Sequence, residues 1–521
     1  MRFFWTPLFF CLSSIMFAQD LEVDWGDLER KQGSLIRILP SDKDEFYALR
    51  WTGGSLLGHY KISRHIGKEM VANGKILLYA EKSIASFEGV RVIGDKLIIF
   101  LSDKKDGEKI LFMQVYNRDI EPEGDAVRLG AFSLEKGGNK GWFDVKVSAN
   151  KKFLGVVWQI PAKKGTKDRY GFNVYTKDLK LINEGEYPLP FDPELCRIHN
   201  HYISNKGDYF LALSEFEITE ERAVRRDKSA FKALHIYHIA DDGLQDLVID
   251  IENKRLVAMA LTSDTSNIFT ITGVYGEKEE PGVQGVFYRK IDLVTAKEIG
   301  GGMQDFERSF ITQNWSQREL SKASRREARG KGEPQLYDYQ MREANILEDG
   351  TIVGTMEQYF VRVRSTYDSR TGQSTNIYYY YYNDIIAYKI NTEGEFDWFK
   401  KVPKYQVSMN DGGPFSSFES VVSNGYLHLI FNDNVRNYSE NGVFLGAERL
   451  QVANYSKRKN VVAIVSMDIE SGEQERMNFF DRTAVDVLAI PKKFEVDHQQ
   501  NRMIIYGIWG RTKEKFGFVK I

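Results

Sequence analysis

Apolar and polar positions alternate along this chain in short runs, and nearly every run ends in a polar turn. The longest such pair runs from Thr351 to Ile390. Apolar and β-branched residues lead to Ser365, Asp368-Ser369-Arg370-Thr371-Gly372 reverses the chain, and Asn376 onward returns through the five tyrosines Tyr378 to Tyr382. Valine, isoleucine, threonine and tyrosine fit a pleated, half-buried surface, and Asp, Ser and Gly supply the turn. The pattern predicts a long β-hairpin over 351–390.

The same plan recurs with shorter arms. Polar turns fall at Ser41-Asp42, Gly94-Asp95, Ser148-Ala149-Asn150, Ser204 to Gly207, Ser263-Asp264, Glu348-Asp349-Gly350, Ser423-Asn424-Gly425 and Asp497-His498. Each precedes a readable strand: Glu45 to Trp51, Lys96 to Leu101, Phe153 to Gln159, Tyr209 to Ser214, Ile268 to Val274, Thr351 to Gln358, Tyr426 to Asn432 and Arg502 to Trp509. A third strand usually follows, then a weaker fourth such as Leu247 to Ile251. The early turns recur about every 55 residues, a period that belongs to radial or solenoid repeats. The last three intervals are 85, 75 and 74, and each contains one obvious insertion.

Four-stranded antiparallel units at this period predict an all-β fold, a β-propeller, with eight blades. Seven is the alternative count if the weak first unit is not a blade. The last unit stops after its third strand, Phe516 to Val519, while Leu21 to Trp25 resembles Glu395 to Trp398, a fourth strand. The N-terminal strand is therefore expected to complete the last blade and close the ring.

Composition changes this picture little. Of 521 residues, 42% are apolar and 28% charged, with a formal net charge of -2, which argues against disorder and against bulk nucleic-acid binding. Aromatic content of 13% suits many strands. The N-terminus adds more: Met1-Arg2, an apolar run from Phe3 to Phe17, then Ala18-Gln19-Asp20 reads as a secretory signal peptide over 1–18. The expectation is an exported protein, periplasmic or extracellular, with a single propeller domain over 19–521 and no transmembrane segment. Cys11 falls in the leader, so Cys196 alone remains and packing, rather than an intrachain disulfide, must hold the fold. The final strand ends the chain, so no appended sorting domain is expected.

The segment containing Tyr378 to Tyr382, Asn383-Asp384-Ile385-Ile386, Asn410-Asp411-Gly412-Gly413 and Phe431-Asn432-Asp433-Asn434 resembles uncharacterised exported propeller-like proteins of gliding, Bacteroidetes-type bacteria. The resemblance covers Thr351 to Asn434. It implies export and a propeller, and brings no activity or functional residue with it.

In an up-and-down blade, the loop between strands two and three and the connector to the next blade lie at one end. The insertions Phe306 to Gln335, Ser365 to Thr375 and Val435 to Asn460 all belong there, as do Glu217 to Ala230, Ala162 to Arg169 and Glu277 to Gln284. Long loops on a rigid scaffold are where function concentrates, so this end is the expected working face.

Its candidate groups are few. Within 306–335, Ser316, Glu319 and Gly330 predict a capped surface helix, and Glu307 to Lys331 holds seven Lys or Arg against three Glu, Arg325 and Arg326 among them. Val435 to Asn460 also leans basic. Such insertions suit an acidic glycan, lipid head group or protein, although a solvated charged loop has the same composition. Tyr378, Tyr380 and Tyr382 share one strand face and form an aromatic platform wherever the hairpin leaves the ring. Asn410-Asp411 and Asn432-Asp433-Asn434 offer oxygen ligands to sugar hydroxyls or to calcium, without any EF-hand spacing; Asn and Asp are also ordinary turn residues. His199 and His201 sit two apart on a strand and are the weak metal candidates, lacking a visible third ligand. No cofactor motif, nucleophile elbow or P-loop is present. These features predict a non-catalytic binding module for an envelope protein or extracellular polymer, with its oligomeric state left open. The alternative is a carbohydrate-active hydrolase or lyase using acidic residues at the channel mouth.

Overall fold

The computed structural model describes residues 21–521 apart from 42, 54–57, 82, 135–140, 161–165, 194, 218–230, 241–242, 264–267, 279, 296 and 331–332. The expected signal peptide, 218–230 of the Glu217 to Ala230 insertion and 162–165 of the Ala162 to Arg169 insertion lie outside those residues. Each apolar run after a turn forms a strand. Glu45–Trp51 and Arg502–Trp509 match the predicted limits, while Lys96–Lys105, Tyr209–Phe216 and Tyr426–Asn434 run a few residues further. These second strands are buried on both faces, as in Tyr426–Asn434, whereas outer strands such as Glu69–Lys75 show only half-buried and exposed positions. That gradient is what a sheet covered on both sides near its middle and wetted at its edge requires.

Among the described residues the strands form eight antiparallel sheets of four or more strands, plus a two-stranded ribbon at Tyr79–Ala80 and Ser83–Ile84. In the first seven sheets four consecutive strands lie side by side in chain order; in the sixth they are Tyr339–Ile346, Ile352–Asp368, Gln373–Ile390 and Phe396–Val402. First strands of successive sheets pack together: Ser34–Pro40 on Ser86–Ile93, Trp142–Val147 on Cys196–Ile203, and Arg255–Ser263 on Tyr339–Ile346. First strands therefore surround the axis and fourth strands form the rim.

The core is divided into slabs between neighbouring sheets. Phe100 and Leu111 of the second sheet meet Phe143 and Leu154 of the third, Ile386 and Tyr388 of the sixth meet Val274 and Val286 of the fifth, and Leu427 and Phe431 of the seventh meet Ile385 and Val402 of the sixth. The last slab joins Ile504, Tyr506 and Phe516 of the eighth sheet to Ile38, Phe46 and Ala48 of the first. The circle is closed, and the protein is an all-β propeller. Full burial of a residue such as Phe46 contributes about 1.5–3 kcal/mol over exposure, repeated around the ring.

As the sequence predicts, the N-terminal strand completes the last sheet. Val23–Trp25 pairs antiparallel with Lys513–Lys520, with Val23 opposite Val519 and Trp25 opposite Gly517. Glycine is required there because a Cβ would fall 2.9 Å from the Trp25 ring. The innermost strand of this sheet is interrupted: Leu488–Ala489 and Glu495–Asp497 flank a 3-10 turn at Pro491–Lys493, where Pro491 withholds an N–H from the ladder.

The sixth sheet departs most from the plan. Its second and third strands continue past their neighbours, and from Phe360 to Tyr380 they rise above the ring as a fin. Gln406–Met409 joins the fin as a third strand, pairing Gln406 with Tyr382 and Met409 with Tyr379. In the connector before this sheet, the predicted helix is present at Gln317–Glu327. Ser316 caps it, accepting from the Glu319 N–H while its own N–H donates to the Glu319 carboxylate at 2.8 Å.

Candidate functional site

The fin, the insertion helix and the Val435 to Asn460 segment stand at the same end of the propeller, since each continues a strand two to three loop or a connector. The fin is the most exposed. Every residue from Val361 to Asp368 is exposed, with Val361 at 40%, Val363 at 53% and Tyr367 at 69%. Strand alternation sorts its side chains onto two faces. One carries Val361, Val363 and Tyr367 with Tyr378, Tyr380 and Tyr382; the other carries Phe360, Arg362 and Arg364 with Tyr379 and Tyr381.

The second face is an ordered ladder. Phe360 and Tyr381 stack with centroids 4.6 Å apart and planes 13° from parallel. The Arg362 guanidinium lies 5.1 Å from the Phe360 centroid and 5.4 Å from that of Tyr381. Cation–π contact holds an exposed arginine in one orientation, which lowers the entropy it loses on meeting a partner.

Along the predicted tyrosine run, exposure falls toward the ring. Tyr378 is 40% exposed, Tyr380 half-buried, and Tyr382 only 7% exposed. The Tyr382 hydroxyl donates to the Gly412 carbonyl at 3.0 Å, and its ring packs 4.7 Å from Tyr359. Tyr382 therefore anchors the fin, and Tyr378 and Tyr380 form its outward part.

Asn410 and Asp411 are also at the fin. Asn410 takes a positive φ of 57°, accepts from the Tyr378 N–H at 2.9 Å through its side chain, and donates its own N–H to the Tyr378 carbonyl. Asp411 accepts from the Gly413 N–H and remains exposed. Asn432, Asp433 and Asn434 are different: all three are buried, which removes them from the surface expected to carry a ligand. Asn432 donates to the carbonyls of Phe415 and Ala489, both at 2.9 Å. Asp433 pairs with Arg476 and accepts from the Tyr438 hydroxyl and the Asn437 amide, and Asn434 donates to the Val452 carbonyl. They fasten the Val435 to Asn460 segment to the seventh sheet.

Beneath the fin lies a buried ionic cluster that sequence reading missed. Lys404, 1% exposed, donates to Glu357 at 2.8 Å, to the Tyr382 carbonyl at 2.9 Å and to Gln406 at 3.2 Å. Arg342 reaches the other Glu357 oxygen at 2.6 Å, and Ser417 donates to it at 2.7 Å. Burial alone would raise the Glu357 carboxyl; Lys404 and Arg342 together outweigh that and hold it below its ordinary range. Lys492 packs 3.9 Å from the Tyr382 centroid and donates to the Gly413 carbonyl at 2.7 Å, with burial lowering its ammonium to about 8. The cluster ties together the bases of the fin strands and the 404–417 segment. Only its separate members are visible in sequence, because their spacing follows no motif.

Arg325 and Arg326 are exposed on the insertion helix, which buries no residue of its own. With Arg318 and Lys322 they occupy about a third of the helix circumference. Among the described residues none of the four forms an ion pair, whereas Glu327 on the opposite side pairs with Arg308 at 3.1 Å.

The two candidate metal ligands diverge. A bulge between Ile198 and Asn200 breaks the expected alternation, so His199 shares a hydrogen bond with Ser214 at 2.7 Å and His201 one with Tyr209 at 2.6 Å. Burial lowers their imidazoles to about 4 and about 3. Among the described residues no group of three or more His, Cys, Asp or Glu is arranged to hold a metal ion.

Acidic residues do occur on the inner strands. Glu419 on Phe418–Ser423 is held well above the usual carboxyl range by burial and by Glu343 and Glu495 on neighbouring inner strands. Ser420 donates to Glu343 at 2.6 Å, and Glu495 lies 3.7 Å from Arg37. Elsewhere, an open polar cleft on the second sheet is lined by Ser86, Glu88, Ser102, Asp103, Lys104 and Lys109, with Glu88 3.1 Å from Lys109. No described helix is long and apolar enough to cross a membrane.

No family model and no curated protein matches the chain. Solved structures similar to it include the WD40 domain of SCAP from fission yeast, at 9% identity and a TM-score of 0.37, over 96% of this chain and 94% of that one. The β-propeller domain of the trilobed protease from Pyrococcus furiosus matches at 11% identity and a TM-score of 0.33, over 86% and 97%. A protein of unknown function from Bacteroides caccae matches at 11% identity and a TM-score of 0.27, over 69% and 94%.

Proposed function

We propose that this chain is an exported, non-catalytic binding module, an eight-bladed propeller in which each large sheet is one blade. Its fin face engages an envelope protein or extracellular polymer. One observation carries the reading: a solvent-exposed aromatic and valine surface is held above the ring by a buried ionic base that fixes its position. Exposed apolar surface on a rigid mount marks an interaction site. Export to the periplasm or beyond is part of the proposal and rests on the leader-like 1–18 segment; kinship with the exported Bacteroidetes-type propellers is also part of it and rests on the resemblance over Thr351 to Asn434.

A pull-down from envelope extract tests it, comparing the intact chain with a variant in which Val361 to Tyr380 is replaced by a two-residue turn. The expected result is a partner retained by the first and lost by the second. Equal retention by both would contradict the reading.

A second reading is a carbohydrate-active hydrolase, favoured by Glu419, whose raised carboxyl beside two further glutamates suits a general acid. Release of reducing ends from an acidic or neutral polysaccharide, abolished by Glu419→Gln, would establish it in place of the binding role.

A further inference from the structure

The fin presents more than side chains. Pairing of Tyr339–Ile346 with Ile352–Asp368 ends at Tyr339 and Gln358, and one further bond joins the Tyr359 N–H to the Asp338 carbonyl. Beyond it, from Phe360 to Asp368, no backbone hydrogen bond is made on the outer side of the strand among the described residues. The inner side is fully paired with Gln373 to Tyr381. The result is a sheet edge of nine residues, free of proline and exposed from Val361 onward, paired along its length with Gln373 to Tyr381 and backed at its base by Gln406–Met409. Such an edge is a template for another extended chain, and proteins usually guard against that with short strands, lysines, prolines or covering loops. This edge has no lysine, proline or covering loop among the described residues; the devices it does carry are Arg362, Arg364 and a bulge at its base, between Glu357 and Tyr359.

The side chains beside the edge indicate what would add to it. Toward one face they are Phe360, Arg362, Arg364 and Thr366; toward the other, Val361, Val363, Ser365 and Tyr367. Arg370 at the tip adds a third cation, against the single acid Asp368. None of the three arginines forms an ion pair among the described residues, and Arg362 is already oriented by its aromatic neighbours. A second copy of the same edge would meet these arginines with Asp368 as its single acid, and antiparallel self-pairing centred on Val363 would set Arg362 against Arg364 of that copy. Like charges directly opposite are destabilising.

We infer that the Phe360–Asp368 edge binds an extended segment of a partner protein by strand addition, the segment alternating acidic side chains toward Arg362 and Arg364 with apolar ones toward Val361, Val363 and Tyr367. Main-chain bonds supply affinity and the alternating faces supply register and specificity. The inference rests on the binding-module reading and assigns its partner class.

The test is selection of a random nonapeptide library on the intact folded chain, followed by fluorescence anisotropy with the enriched peptides. The expected peptides alternate Asp or Glu with apolar residues. Their affinity should fall at least tenfold for Arg362→Glu/Arg364→Glu, remain unchanged for Arg128→Glu on the second sheet, and vanish when alternate peptide amides are N-methylated. Circular dichroism of the variants confirms an intact fold. Peptides that bind equally well when N-methylated, or that ignore the fin arginines, would overturn strand addition. Retention of an acidic glycan in the pull-down, lost on fin removal while no peptide is enriched, would overturn it too and leave the binding role standing. Failure of both experiments removes both.

Discussion

Lys404 shows how much one side chain holds at this site. Its ammonium satisfies Glu357, the Tyr382 carbonyl and Gln406 at once, inside a region closed to water. Lys404→Ala leaves Glu357 with Arg342 as its one cation and strips the Tyr382 carbonyl and Gln406 of their buried donor, which should cost about 1–3 kcal/mol in chemical denaturation. The buried histidines govern acid stability. Burial lowers His65 and His201 to about 3 and His199 and His428 to about 4, against an ordinary 6.5. The unfolded chain takes up protons below about 6.5 while the folded one does not, so stability is full above that pH and falls as pH drops toward 4 and 3. Equilibrium unfolding between pH 7 and 4 should show that slope, reduced by His65→Phe. Glu419 has the opposite sign. Its folded carboxyl is raised, so the folded state binds the proton more tightly and stability declines as pH rises above about 4.5. Glu419→Gln should raise the melting temperature at pH 7 and leave it unchanged at pH 4. At this scale the sequence was least legible. Asn410-Asp411 and Asn432-Asp433 look alike in one dimension, yet the first pair caps an exposed fin and the second is sealed under a loop. Burial, which separates them, depends on the Arg476 and Tyr438 partners that arrive more than a strand later or from an insertion.

Among elements, the long hairpin was the most legible. Its β-branched arms, Asp-Ser-Gly reversal and tyrosine return predicted a hairpin over 351–390, and strands Ile352–Asp368 and Gln373–Ile390 fill that range. Two features escaped. Gln406–Met409 is too short to stand out from a loop, and the outer edge of Phe360 to Asp368 becomes visible only once Tyr339–Ile346 is seen to stop at Gln358. The helix at Gln317–Glu327 was readable because Ser316 and Glu319 form a capping box, a local device. Because the fin buries little, replacing Val361 to Tyr380 by a tight turn should leave the melting temperature of the ring within about 2 °C, since exposed segments contribute little to global stability. Calorimetry of the trimmed variant checks this, and a large loss would mean the fin is part of the core.

On the scale of the whole molecule, the ring depends on contacts between chain ends. The Trp25 ring packs on Gly517 and meets Phe480 edge-on at 5.7 Å, so the N-terminal strand bridges the seventh and eighth sheets. Trp25→Ala should cost about 3 kcal/mol and open the closure locally, seen as faster amide exchange in Lys513–Lys520 than in the sixth sheet. Repeat spacing made the ring legible, because each unit repeats the same turn and strand order. Its elaboration on one face was legible as well, since antiparallel order alone places the insertions. What the repeat could not reveal was the fin's rigidity, which comes from groups distant in sequence. The most direct test of that surface is hydrogen–deuterium exchange on the full chain with and without its captured envelope partner. Protection should concentrate in Phe360 to Asp368. Protection centred instead on the inner strands bearing Glu343, Glu419 and Glu495, or on the short turns at the opposite end, would contradict the account.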